Sequence, residues 1–387
     1  MTCTIRMLPV MILLLLAGCR EDAPPTDIHL PGKTPEGVDY DESTYKWGYA
    51  NKEGQLVIAD QFDENRPFSE GLAAVRIDGS WGFIDRRGKA VISLQYKGAW
   101  PFQEGLARVL TFQDSMGFIN RQGQWVIPAR WEEAGDFREG YTRVRKGDDW
   151  GLIDATGKLT APLGFQSIGE VNNELATASQ DDRYGMIDVR GKWAIPPKFD
   201  RLRPFADGLA RAGSGGKTGF ISRAGEWVIA PVWTLAADFT LGLAPVADAR
   251  EKWGLIDTAG QWRVAPAYDQ LWYGGDSLWI VEQEGRYGAI DAGGQVRIPL
   301  SFQQLQSFTE GYAPYQQQEL WGYVHKSGQL LTSPEFGLAW PFESGMARVA
   351  TRRGLTFIDT LGQILFQPRY LDLRELKEGF IQVQVYR

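Results

Sequence analysis

Residues 81–92 read WGFIDRRGKAVI, and nearly the same sentence returns as WGLIDATGKLTA at 150–161 and WGLIDTAGQWRV at 253–264. Aligning the chain on this Trp-Gly pair gives ten cognate positions: Trp47, Trp81, Met116, Trp150, Tyr184, Thr218, Trp253, Tyr287, Trp321 and Leu355, spaced by 34 or 35 residues throughout. Self-similarity at a fixed period sets the fold before any single motif is weighed. Ten units occupy residues 46–387 and leave no room for a second domain.

Within a unit, a short run of alternating large and small residues ends on a turn-forming residue: Asn51, Asp85, Asn120, Asp154, Asp188, Ser222, Asp257, Asp291, His325 or Asp359. Three positions later comes glycine in every copy: Gly54, Gly88, Gly123, Gly157, Gly191, Gly225, Gly260, Gly294, Gly328 and Gly362. This spacing fits a type I turn closed by a left-handed glycine, the corner of a β-hairpin. The returning strand often meets proline (Pro128, Pro196, Pro231, Pro266), which interrupts ladder pairing. An aromatic follows, then a crossing segment with an FxxG step such as FSEG (68–71), FQEG (102–105) or FREG (137–140). A third strand such as LAAV (72–75) then runs through a short turn into the next Trp-Gly hairpin. The expected fold is all-β: a tandem array of ten three-stranded antiparallel meanders, with an open twisting array favoured over a closed propeller-like ring. The last strand, FIQVQV (380–385), has no following hairpin and is expected to cap one end.

The pattern, carried best by KWGYANKEG (46–54) and EKWGLIDTAG (251–260), resembles the bacterial WG-repeat family. The resemblance implies a repeat scaffold and implies no activity. It covers nearly all of residues 46–387, with local departures at Met116, Thr218 and Leu355 and where FxEG is lost near 165–176.

The N-terminus carries an address. Arg6, the apolar run MLPVMILLLLAG (7–18) and Cys19 read as a secretory signal too short to span a membrane comfortably. LAGC (16–19) resembles the lipobox of bacterial lipoproteins, which implies cleavage after residue 18, lipidation of Cys19 and a lipid anchor in the membrane. Arg20 in place of Asp points to the outer membrane. Residues 19–45 are polar and proline-rich and are expected to form a tether. Cys3 falls within the signal, so the exported part holds a single thiol and no disulfide.

The net charge of −7 shows no basic stripe, which disfavours a nucleic-acid partner. His29 and His325 are the two histidines, and neither supports a nucleophile–histidine catalytic set. The corner aspartates lie one per unit, where turn capping accounts for them better than metal binding. Adjacent acids at 132–133, 148–149 and 181–182 leave open a carboxylate-based glycan hydrolase. The sequence offers no cofactor or metal site and no assembled catalytic constellation.

Of the 15 tryptophans, eleven occupy repeat positions expected to be core: the Trp-Gly column, the post-hairpin slot (Trp131, Trp233) and the second strand (Trp125, Trp193, Trp227, Trp262). Trp279 stands on a third strand. Trp100, Trp272 and Trp340 share one register of the crossing segment with Arg66, Arg203 and Arg374. These six form the candidate binding surface, since Trp and Arg dominate interface energetics; the competing reading has the three tryptophans lidding the core. Together these readings describe a non-enzymatic envelope lipoprotein that binds or scaffolds a protein partner, with an envelope glycan as the alternative ligand.

Overall fold

The computed structural model describes residues 45–386, so the signal, Cys19 and tether expectations lie outside the described residues. In the sheet built on the second Trp-Gly hairpin (blade 2, the sheets being numbered by their hairpins), Ser80–Asp85 pairs antiparallel with Ala90–Tyr96, turning at the Asp85 corner, whose carbonyl accepts the Gly88 N–H at 2.9 Å. The Asp85 carboxylate also accepts the N–H groups of Arg87 and Lys89, so the side chain closes the turn it starts.

The Trp-Gly step has a local cause. Between the Trp81–Tyr96 and Phe83–Ile92 pairs, the returning strand carries two residues more than its partner, a bulge that presses its backbone inward. A Cβ at Gly82 would stand 2.6 Å from the Ile92 carbonyl oxygen, so only glycine fits. In the next blade Pro128 lies inside the same bulge, where no ladder N–H is needed. Blade 10 has Thr356 at the glycine position; there the returning strand is reduced to a single bridge, and the threonine hydroxyl donates to Phe366 O at 2.5 Å.

Each sheet spans two sequence units. Leu72–Ile77, the third strand of the first unit, pairs with Ser80–Asp85 of the second, and Glu64–Asn65 from the crossing segment adds a short edge. Eight of the ten sheets are therefore four-stranded; those of blades 7 and 10 have three strands. This stagger overturns the open array. The first hairpin, Tyr45–Ala50 with Leu56–Phe62, has no preceding third strand, and the chain's last two strands, Asp372–Lys377 and Phe380–Tyr386, supply it. Six consecutive pairs, Tyr45↔Tyr386 through Ala50↔Ile381, join the two ends in blade 1. The C-terminal strand expected to cap one end closes a ring of ten blades. An open array would leave two bare strand edges, and closure removes both.

The core lies between adjacent blades. Trp47, Tyr49 and Phe62 of blade 1 pack with Phe68, Val75 and Ile84 of blade 2, and the pattern continues around the ring. The corner glycines join the same interfaces: a Cβ on Gly88 would meet Ile58 of the blade before at 2.9 Å, and one on Gly157 would meet Ile127 at 3.1 Å. The closing seam repeats the arrangement. Gly54 packs on Phe366 of blade 10, while Tyr370 and Arg369 donate to the Gly54 carbonyl, the tyrosine at 2.7 Å.

Candidate functional site

The FxEG step folds as a two-residue turn. Glu70 and Gly71 both have positive φ, 51° and 80°, between the bridged residues Ser69 and Leu72, which is the primed geometry suited to hairpins. Because Leu72 pairs with Asp85, this turn and the Asp85 corner project from the same end of the blade. The acidic side chain reaches the next blade. Glu104 accepts the N–H groups of Glu139 and Gly140 at 2.8 Å each, and Glu139 accepts those of Asn173 and Glu174 at 3.0 and 3.1 Å. Glu310 does the same to Ser344 and Gly345 at 2.7 and 2.8 Å. Glu70, Asp207 and Asp276 each hold the turn glycine that follows them around the ring, Gly105, Gly242 and Gly311. Glu378 accepts from Gly71 at 3.0 Å, which carries the chain of latches across the closing seam.

Paired backbone N–H groups in a turn form a cradle that favours an anion. The Glu139 carboxyl is accordingly held below the usual carboxylate range, chiefly by the Asn173 and Glu174 N–H bonds. The Glu378 carboxyl is also lowered: burial works against ionisation, and the hydrogen bonds from Arg86 and Gly71 outweigh it. Seven of the ten turns carry a carboxylate at this position and all seven are latched; the three remaining positions are Asn173, Leu241 and Ser344.

The six Arg/Trp register residues are all half-buried. Arg66 lies over Trp81 at 5.1 Å and over Trp100 at 5.7 Å, and Arg374 lies over Trp47 at 4.5 Å. Trp100 also faces Arg108 at 4.3 Å and Trp340 faces Arg348 at 4.0 Å. Trp272 meets Tyr287 edge to face at 6.1 Å, and Arg203 is half-buried within Arg201–Ala206. Burial lowers the Arg348 pKa, while its guanidinium still donates to the Leu373 carbonyl of the next blade. Such cation–π contacts contribute roughly 0.5–2 kcal/mol each, depending on how dry they are.

The most exposed tryptophans were expected in the core. Trp125, Trp227 and Trp262 on the returning strands are 43%, 38% and 39% exposed. Each leans edge-on against an aromatic of the blade before, at 6.0 Å to Tyr96, 5.4 Å to Phe199 and 5.3 Å to Trp233. The returning strand is the outer edge of its sheet, so its first residue packs sideways and keeps one face in water; strand position alone did not reveal this. Trp193 is half-buried in the same role against Phe165. Val57, Val91, Val126, Val228 and Val296 are also exposed on these strands.

His325 closes its own corner, with Nδ1 2.8 Å from the Ser327 hydroxyl and its ring against Tyr312. Among the described residues no group of three or more His, Cys, Asp or Glu side chains is placed to hold a metal ion. Glu132 and Glu133 both pair with Arg145, and Asp182 in the 181–182 turn accepts from the Gln166 amide. No helix among the described residues is long and apolar enough to cross a membrane.

A cleft of about 750 Å³ spans blades 4 to 6 and is lined by Tyr141, Lys158, Asn173, Glu174, Arg190 and Arg223 among others. A smaller cavity between Asn172, Leu175, Pro204 and Phe205 adjoins it. Both border the blade 5–6 interface, where Asn173 breaks the latch ring.

Ten staggered antiparallel sheets closed by strands from both ends define a ten-bladed β-propeller of repeated units. The chain belongs to the WG containing repeat family, which it matches ten times, from 47–81 and 81–111 through to 321–351 and 356–386. No relative was found among the curated proteins. Solved structures similar to it include a eukaryotic initiation factor, at 9% identity over 89% of this chain and 98% of that one, with a TM-score of 0.46. The computationally designed Ika8 protein gives 14% identity over 67% and 94%, with a TM-score of 0.38. BamB from Moraxella catarrhalis gives 11% over 84% and 97%, with a TM-score of 0.29. These scores are low, and the ring stands on its own strand pairing.

Proposed function

We propose that the protein is a non-enzymatic scaffold of the cell envelope, anchored by lipidated Cys19 in the outer membrane, whose propeller captures a protein partner. The observation that carries the reading is the exposed aromatic and valine belt on the outer strands, with Trp125, Trp227 and Trp262 as anchors. Partly exposed tryptophan beside apolar surface is the composition of a binding patch, because its burial by a partner contributes more than that of any other side chain. The half-buried Arg/Trp register, with Trp100, Trp272 and Trp340, would add a second, more stability-coupled set of contacts.

The test is capture. A fragment of residues 20–387, which holds all ten blades, is incubated with envelope extract and separately with envelope glycans. A protein retained by the fragment and lost with Trp227→Ala plus Trp262→Ala supports the reading. Retention of glycan alone moves the function to sugar binding. The anchor has its own test. Cys19→Ser should move the protein out of the membrane fraction, and a variant that still sediments with membranes after a high-salt wash would overturn it.

A further inference from the structure

The latch ring shows what its turns bind, because seven of them hold a ligand supplied by the chain itself. In each, a carboxylate from one blade rests on backbone N–H groups of the next blade's tight turn. Three turns receive no such carboxylate. At blade 8 the Ser277 N–H donates to the Tyr273 hydroxyl at 3.3 Å instead. Across the blade 10–1 interface the Glu343–Lys377 ion pair provides a tie one position away.

The turn of blade 6, Asp207–Gly208, has neither substitute. Asn173, which occupies the latch position facing it, donates its side-chain amide to Asn172 at 2.6 Å. Among the described residues the Asp207 and Gly208 N–H groups have no acceptor, and both residues are exposed. The turn keeps the latched shape, with φ of 48° and 82° against 54° and 79° at Glu139–Gly140. Phe205 is only half-buried, while its counterparts Phe68, Phe102 and Phe137 are buried. The Arg223 guanidinium lies over the Phe205 ring at 5.5 Å. Arg223, Arg190 and Lys158, from the corners of three successive blades, line the cleft that spans blades 4 to 6, together with the acidic Glu174 and Asp188.

We propose that the gap left by Asn173 is a binding site for the carboxylate of an outside ligand, which would sit on the Asp207 and Gly208 N–H groups with Arg190 and Arg223 beside it. The chemistry is that of the seven internal latches, supplied in trans. The site deepens the binding role and rests on it, but the test below uses no envelope partner, so each can fail without the other.

The sequence supplies a clean probe. Asp-Gly occurs twice, at 78–79 and 207–208, so the full chain labelled with carbonyl-¹³C aspartate and ¹⁵N glycine gives two selected amide signals, Gly79 and Gly208. Gly79 lies in the turn joining Leu72–Ile77 to Ser80–Asp85, at the opposite end of its blade, and serves as control. Titration with propionate should move Gly208 saturably and leave Gly79 in place, while propionamide, the neutral isostere, moves neither. Asn173→Glu should shift Gly208 toward its bound position without propionate and abolish the response, because it restores the latch. Arg223→Gln should weaken the response several-fold in a chain whose latch residues are untouched. An unmoved Gly208, an equal response to propionamide, a parallel shift of Gly79, or a full response in Asn173→Glu would each overturn the proposal.

Discussion

A single glycine can serve two constraints, and the corner position separates them. Gly157 has φ of 83° and would place a Cβ 3.1 Å from Ile127 of the blade before. Gly79 has a similar φ of 76° with nothing within 4 Å. Backbone strain alone at such positions costs on the order of 1–3 kcal/mol. Gly157→Ala should therefore destabilise more than Gly79→Ala in urea unfolding, and Gly157→Val more again; equal costs would show that the corner does not bear on its neighbour. Tryptophans separate in the same way. Trp340→Ala removes a half-buried ring stacked on Arg348 and should cost at least about 2 kcal/mol, whereas Trp125→Ala, already 43% exposed, should cost about 1 kcal/mol or less. The corner glycines were legible in the sequence because their cause is local and recurs ten times. The exposure of Trp125 was not, since it depends on which strand becomes the outer edge.

At the scale of the element, the acidic turn is the part that sequence reading passed over. FSEG, FQEG and FREG mark a turn plainly enough, but the partner of each glutamate is a backbone N–H one unit away, and a backbone group leaves no mark in the sequence. The only available signal was the recurrence of Glu or Asp just before the turn's second residue. The latch makes a pH prediction. The Glu139 carboxyl is lowered in the folded state, so its contribution is present above the unfolded carboxylate value and is lost as pH falls through the folded one. Glu139→Gln should lower stability near neutrality and flatten the acid limb of the stability curve. An acid limb identical to wild type would mean that the latch contributes nothing. The Asp85 corner, by contrast, holds only its own loop.

For the whole molecule, the period established ten units and their antiparallel hairpins, since these recur every 34 or 35 residues, but not the stagger that spreads each sheet over two units. Closure did not follow. The pairing of Tyr45–Ala50 with Phe380–Tyr386 links opposite ends of the repeat, and nothing in either strand's own pattern names the other. Removal of residues 378–387 should therefore act far beyond its size. It strips Phe380–Tyr386 from blade 1, takes away the Glu378 latch and bares the Tyr45–Ala50 edge. The expected outcome is self-association on light scattering and a lowered melting temperature; a monomer with an unchanged melt would refute the ring.

Blade 1 also sets a clock. Its first strand leaves the ribosome at residue 45, and its partner is finished only at residue 386. At about 5–20 residues per second, the first hairpin waits roughly 20–70 s for its mate. The intervening blades can form in order meanwhile, each on the one before. The opening hairpin spends synthesis as an unmatched edge, and any chain released early keeps it that way. Completion of the ring is thus a test that only a full-length translation product passes, and prematurely terminated chains present to proteases and chaperones the same strand that whole ones conceal.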